Sequence, residues 1–416
     1  MTWFGIIVLG AVGLKWVTQL WLERLNARNV RAHAAVVPEG LQGIVDPSTY
    51  AKSVEYTLAQ GRFHQCQLTY DAAALLLVLF SGLLPWAFEL FNRVWGGSPW
   101  AMGAFLFVAG VALSIPDLPF SWYSQFRLEE KFGFNTTTQT LWWTDRLKGV
   151  ALGLLLGYPL LVLVLFIIKW TSPSWWFWAW FAIMVFQLLI AVLAPVLILP
   201  LFNKFTPLPE GTLRERLQKL ALRTRFRAKS IQVMDGSKRS HHSNAFFVGF
   251  GGFRRIVLFD TLIQQLIEPE LEAVLAHEIG HFRKKHVPKM LLASGLGSLA
   301  GFYILAWSAR QPWFYDAFGF SPETLTPALL LFGLLSGTAT FWLGPVLHAW
   351  SRRYEYQADA FAAQTMGEPG SLIGALRKLN EKNLSNLTPH RLYSGFYYSH
   401  PTLLEREEAL GTKQFP

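Results

Sequence analysis

The sequence predicts a polytopic α-helical membrane protein carrying a small α+β domain, and three observations support that fold class. Of 416 residues 52% are hydrophobic, with 33 Phe and 18 Trp, while only 15% are charged, a balance outside the range of water-soluble chains. Seven apolar runs are long enough to cross a bilayer, at about 3–22, 72–92, 99–118, 150–170, 176–201, 288–307 and 326–350. Between and after them lie two polar stretches, 203–287 and 351–416, whose patterning suits compact soluble structure. A single cysteine, Cys66, excludes an internal disulfide and a cysteine-based metal site. The net charge of +10 comes without a nucleic-acid module, so no nucleic-acid partner is expected and the charge reads as membrane topology.

Taken in order, the first run (WFGIIVLGAVGLKWVTQLWL) contains Lys15, which must face protein, water or an interface, snorkelling being the simplest account. No basic residue precedes it and no small-residue cleavage site follows, so it reads as an uncleaved span. Residues 23–70 are polar, with a helix expected from Pro47 to Gln67. The second and third spans form a hairpin around Gly96-Gly97-Ser98. A polar and aromatic loop is expected over 125–149 before spans four and five. In the insert, Thr212 and Glu215 have capping-box spacing ahead of a basic helix over 213–225. Strands are expected at 230–234, 245–250 and 254–259, the last two as a hairpin across Gly251-Gly252. The final span runs without a break into Asp359, and Gly367 is the first stop signal. The division is therefore 1–202 with five spans, 203–287 as a soluble insert, 288–350 with two spans, and 351–416 as a C-terminal segment that completes the site.

The chemistry centres on His277-Glu278-Ile279-Gly280-His281. Pro269 suits a first helical turn, Glu268, Glu270 and Glu272 suit the positive end of a helix, and Leu271, Val274, Leu275 and Ile279 recur with helical spacing. Histidines four apart on a helix share one face and can hold one metal ion. The pattern is the H-E-x-x-H of zinc metallopeptidases, in which the glutamate takes a proton from an activated water. A catalytic zinc takes three protein ligands and leaves one position open.

Seven spans put 203–287 on the same side as 351–416. That side also holds the loops 23–70 and 119–148 and nearly all Lys and Arg, whereas the other offers Arg93, Lys169 and Arg310. The positive-inside tendency makes the motif side cytoplasmic. A third ligand must come from this side, and Glu355 leads, with Asp359 one turn later to orient a histidine. His241, His242 and His286 are read as surface or supporting groups, and Arg352 and Arg353 as headgroup anchors of the last span.

Six stretches now coincide: HEIGH at 277, EYQAD at 355, GSKRSHHSNAFFVGF from 236, RRIVLFDTLI from 254, YSHPTLLERE from 398 and EEKFGFNTTT from 129. Together they resemble the integral-membrane zinc metallopeptidases of the CAAX prenyl protease 1 type. The resemblance implies seven long helices enclosing a water-filled chamber, closed at the cytoplasmic end by the zinc domain. It implies one Zn2+ per chain held by His277, His281 and Glu355, Glu278 as general base and Asp359 behind a ligand. His400 would stabilise the tetrahedral intermediate, and the backbone at Asn244 and Ala245 would pair with an extended peptide. The implied partners are a peptide or protein substrate, prenylated near its C-terminus or not, and membrane lipid. A bacterial inner membrane and an endoplasmic reticulum both fit. A broad quality-control protease of membrane proteins is the alternative enzyme. A non-catalytic binding or transport protein of the same fold is the other class, and Glu278 weighs against it.

Overall fold

A computed structural model of the chain describes residues 1–43, 45–226, 229–248, 255–322 and 324–411. The helices of its membrane part are α1 (Trp3–Ala32), α2 (Pro47–Phe80), α3 (Leu83–Trp95), α4 (Pro99–Glu129), α5 (Gln139–Trp170) and α6 (Trp175–Phe202). The mixed part follows with β1 (Phe205–Pro207), α7 (Thr212–Arg223), β2 (Ser230–Met234), β3 (Ala245–Val248), β4 (Arg255–Phe259), α8 (Asp260–Gln265) and α9 (Glu268–Arg283). Two more membrane helices, α10 (His286–Ser308) and α11 (Leu325–Met366), lead to α12 (Gly370–Lys382), α13 (Arg391–Tyr397) and α14 (Leu403–Gly411). Among the described residues six helices are long and apolar enough to cross a membrane: α1, α4, α5, α6, α10 and α11. The pair α2 and α3 makes a seventh when counted as one span.

That pair carries the span expected over 72–92, with a bend that the pattern does not show. The helix breaks at Ser81-Gly82 and bends by 52°, because Gly82 adopts a left-handed φ of 78° that other residues enter only at a cost. The expected loop over 125–149 is also mostly helix, since α4 runs on to Glu129 and α5 starts at Gln139 with Thr138 as its cap. Polarity marks where these helices leave the bilayer, not where they end. The same holds at Asp46, whose carboxylate accepts from the Ser48 and Thr49 amides and starts a helix that continues through Phe80.

Burial divides the molecule in two. Along the most apolar stretch of α6 none of the side chains is buried, the signature of a surface that lipid covers. The second region is a conventional core in which Val30 and Tyr50, from the ends of α1 and α2, and Leu41, from the connection between them, pack with Leu217, Ile256, Leu275 and Leu376. The sheet beside it runs β1-β2-β4-β3, with β2 parallel to β4 and the other pairs antiparallel. Its β3 strand is an edge. The β3–β4 pairing agrees with the expected hairpin, whose Gly251-Gly252 turn lies outside the described residues. The capping box at Thr212 does not form: Gly211 caps α7, and the Thr212 hydroxyl donates instead to Glu268. Arg216 ties α7 to α9 through Glu272 at 2.7 Å. Lys15 faces protein, donating to the Gly337 carbonyl at 3.3 Å.

Between the helices and the mixed part lies a cavity of about 980 Å³ whose walls include Glu23, Asn26, His64, Glu129, His242 and Tyr393. The strap 129–138 closes against the 237–241 segment, where Thr136 and Thr137 donate to the Ser237 and Arg239 carbonyls at 2.7 and 3.0 Å.

Candidate active site

The site is built where α9 crosses α11. At the start of α9, Pro269 sits in the first turn and Glu270 accepts from the Ile267 amide at 3.0 Å, which fixes the register that places His277 and His281 on one face. The approach of α11 depends on Gly280. A Cβ there would lie 3.0 Å from the Ala358 Cα and 3.1 Å from its carbonyl oxygen, so only glycine lets the two backbones come this close. Buried Ala358, Ala362 and Ala363 complete the smooth contact. Glu355 and Asp359, one turn apart on α11, then face the two histidines.

The distances are specific. His277 Nε2 and His281 Nε2 are 3.2 Å apart, His281 Nε2 is 3.2 Å from Glu355 Oε1, and His277 Nε2 is 3.4 Å from Glu355 Oε2. Ligand atoms about 2.0–2.1 Å from a tetrahedral zinc sit roughly 3.3 Å from each other. Glu355 Oε2 is buried, and no N–H is aimed at it with hydrogen-bond geometry. Two facing imidazole nitrogens and a buried carboxylate are what a cation would satisfy, and the donor set, two imidazoles and one carboxylate, is that of a catalytic zinc.

Each histidine is held from behind. His277 Nδ1 lies 2.7 Å from Asp359 Oδ1, and Arg406 grips Asp359 with Nε to Oδ2 at 2.8 Å and Nη2 to Oδ1 at 2.6 Å. Burial by itself pulls the His277 pKa down. Asp359 and Glu355 outweigh it and push the imidazole up to about 9. His281 Nδ1 lies 3.0 Å from His286 Nδ1. Beside them the half-buried Glu278 carboxyl is raised, first because it is withdrawn from water, with the neighbouring histidines pulling the other way.

His400 joins from the segment before α14, its Nδ1 2.9 Å from Glu355 Oε2 and its side chain 65% exposed on the open side. Arg352 is not a headgroup anchor. Its Nη1 donates to the Gly395 and Tyr398 carbonyls at 3.2 and 2.6 Å, holding the segment that carries His400. Arg353 is exposed. Asn244 is exposed at the start of β3, its carbonyl taken by the Phe259 amide at 3.1 Å, and Ala245 opens the sheet edge. His242 lies apart from the histidine pair, stacked on Phe134 and bonded to Asn383 at 3.1 Å. His241 is exposed, whereas His286 is buried.

Residues 207–414 match the profile of peptidase family M48, and residues 26–204 match that of the CAAX prenyl protease N-terminal region with five membrane helices. The chain belongs to peptidase family M48. Its M48 relatives include the CAAX prenyl protease 1 of Saccharomyces cerevisiae, 38% identical over 90% of this chain and 88% of that one. The Arabidopsis thaliana homologue is 37% identical over 96% of each, and the human homologue 34% identical over 97% and 95%. The crystal structure of S. mikatae Ste24p matches 99% of both chains with a TM-score of 0.91 at 34% identity. The protein is thus a multi-pass membrane metalloprotease of the CAAX prenyl protease 1 type, as the motifs imply.

Of two further side chains at the site, Arg406 carries no signal of its own in the sequence, whereas His286 is one of the three histidines read as surface or supporting groups. Arg406 is reached through Thr402 and Glu405, a capping box in which the Glu405 carboxylate accepts from the Thr402 amide at 2.8 Å, and that pattern was available to mark the helix. His286 sits five residues past His281, off the helical face that the motif defines.

Proposed function

We propose that the chain is a zinc metalloendopeptidase that holds one Zn2+ through His277, His281 and Glu355 and cuts peptides near a prenylated C-terminus. The observation that carries this is the triangle of ligand atoms, all within 4.8 Å of one another and spaced like three corners of a zinc tetrahedron. When bound, the zinc lowers the pKa of water and polarises the scissile carbonyl. Glu278 acts as general base, and its raised pKa suits a group that takes a proton and later returns it to the leaving amine. His400, exposed beside Glu355, donates to the oxyanion as it develops. Asp359 holds His277 in the tautomer that keeps Nε2 free. The edge of β3 at Asn244 and Ala245 takes the substrate as an added strand.

The names of the M48 relatives favour a prenylated CAAX peptide as substrate. The polar cavity is lined by Tyr398 and Thr402, two residues to either side of His400 in sequence, and by none of the site residues themselves, so it fits a water-filled chamber next to the site. Membrane lipid surrounds the spans. The catalytic part faces the cytoplasm, from a bacterial inner membrane or an endoplasmic reticulum. The four-part division at 202, 287 and 350 serves this reading: two sets of spans enclose the chamber, and the polar parts close it.

The test is a matched pair of peptides, one farnesylated at a C-terminal CAAX cysteine and one not, cleaved by purified protein with Glu278→Gln as background. Prenyl-dependent cleavage that Glu278→Gln reduces by about 10²-fold or more is the expected result. Equal cleavage of both peptides replaces the prenyl-directed reading with a broad quality-control protease. Zinc binding with no effect of Glu278→Gln overturns the catalytic assignment.

A further inference from the structure

The two histidines of the site are oriented by different means. Behind His277 stands a carboxylate, Asp359, itself clamped by Arg406. Behind His281, among the described residues, stands a third imidazole. His286 is 1% exposed, and its Nδ1 lies 3.0 Å from His281 Nδ1 while its Nε2 lies 3.0 Å from Gln357 Oε1. Its ring stacks on Tyr354 at 4.0 Å with only 8° between the planes. The turn that brings it there runs through Lys285 at φ 57°, a left-handed conformation that a residue with a side chain enters only at a cost.

With a cation on His281 Nε2 and Gln357 accepting through Oε1, the protons along this row fall into one arrangement. Gln357 Oε1 accepts, so His286 Nε2 carries a proton. His286 Nδ1 is then a lone pair and accepts from His281 Nδ1–H. His281 Nε2 is left with its lone pair facing His277 and Glu355. Every donor meets an acceptor, and the end of the chain is a nitrogen free to bind a cation.

We propose that His286 is a positioning residue for the metal site: through Gln357 it fixes His281 in the Nδ1–H tautomer and holds its ring toward the other ligands. This inference rests on the zinc reading above. The neutral relay makes His281 a less electron-rich ligand than His277, whose outer nitrogen meets a carboxylate, so the two histidines are not equivalent partners of the metal.

Zinc affinity of the purified full-length protein, measured by chelator competition, separates the possibilities. His286→Phe keeps a flat ring against Tyr354 but removes the acceptor, and a 10–100-fold loss of zinc affinity is expected. His286→Asn puts an oxygen at the position of Nδ1 and restores most of the affinity. Unchanged affinity in His286→Phe overturns the proposal, and so does His286→Asn as weak as His286→Phe, because packing alone then explains the residue. Thermal midpoints of the chelated proteins report folding. Where His286→Phe does not fold, Gln357→Leu, half-buried, carries the test: a loss of about threefold or more supports the relay, and wild-type affinity overturns it. His281→Ala is the control for the underlying reading. If it retains a full equivalent of zinc, the ligand assignment has failed rather than the role of His286.

Discussion

His277 illustrates how one residue sets the conditions of the whole site. With its imidazole pushed up to about 9 by Asp359 and Glu355, the metal-free protein carries a proton at the site throughout the neutral range. A cation must displace that proton, so binding is proton-linked. The sign follows: protonation competes more strongly as pH falls, and zinc affinity should drop about tenfold for each pH unit below about 9, from this group alone. Chelator competition at about pH 6, 7 and 8, corrected for protonation of the chelator, measures the slope; a flat line contradicts a charged His277. At this scale the sequence is informative where chemistry is local. His277, Glu278 and His281 declare themselves by spacing within five residues, and Glu355 and Asp359 by a single turn. Arg406 and Arg352 do not, because an arginine that closes on Asp359 from 47 residues away or gathers the Gly395 and Tyr398 carbonyls looks in sequence like any other cation. The headgroup expectation for Arg352 fails for that reason.

Between α9 and α11 the geometry of the site is a consequence of backbone contact. The histidines and Glu355 belong to different helices, and their separations hold only while Ala358 lies against Gly280. Valine at 280 would drive Cβ into the Ala358 backbone and the Phe361 Cβ, 3.2 Å away, so the helices must part by tenths of an ångström at the level where Glu355 meets His281. Gly280→Val should therefore lose about 1–3 kcal/mol of stability and release zinc at chelator concentrations that the wild type withstands. Gly301→Val on α10, where a Cβ meets nothing within 4 Å, is the matched control and should do neither. Helix contacts of this kind are hidden in a sequence that shows only a glycine inside a motif. Helix ends are hidden for another reason. Pattern alone equated loss of apolarity with loss of helix over 125–149, whereas α4 runs on to Glu129 and α5 begins at Gln139; the polar start of α2 and the polar end of α11 are legible because Pro47 and Gly367 mark them.

Over the whole molecule, the two larger of three apolar clusters among the described residues are one of span against span around Leu79, Phe105 and Tyr315, the other of helix against sheet around Leu217, Ile256 and Leu275. The second draws on the ends of α1, α2 and α11, so the catalytic part is not a module hung from the membrane but the continuation of the membrane helices. Orientation then follows for the site and the spans together. If the positive-inside tendency holds, the short connection between α10 and α11 lies on the far side from the site. Asp316, exposed in that connection, is a suitable position for a probe once the exposed native Cys66 is replaced by serine. In that background Asp316→Cys should react with a membrane-impermeant maleimide added outside the cell, or in the lumen of the organelle. Lys219→Cys, exposed on α7, should react only after the membrane is opened to the cytoplasmic side. The reverse pattern would place the site outside, where the lysines and arginines of the catalytic part would contradict their own bias. It would also send the substrate to the chamber from the opposite face.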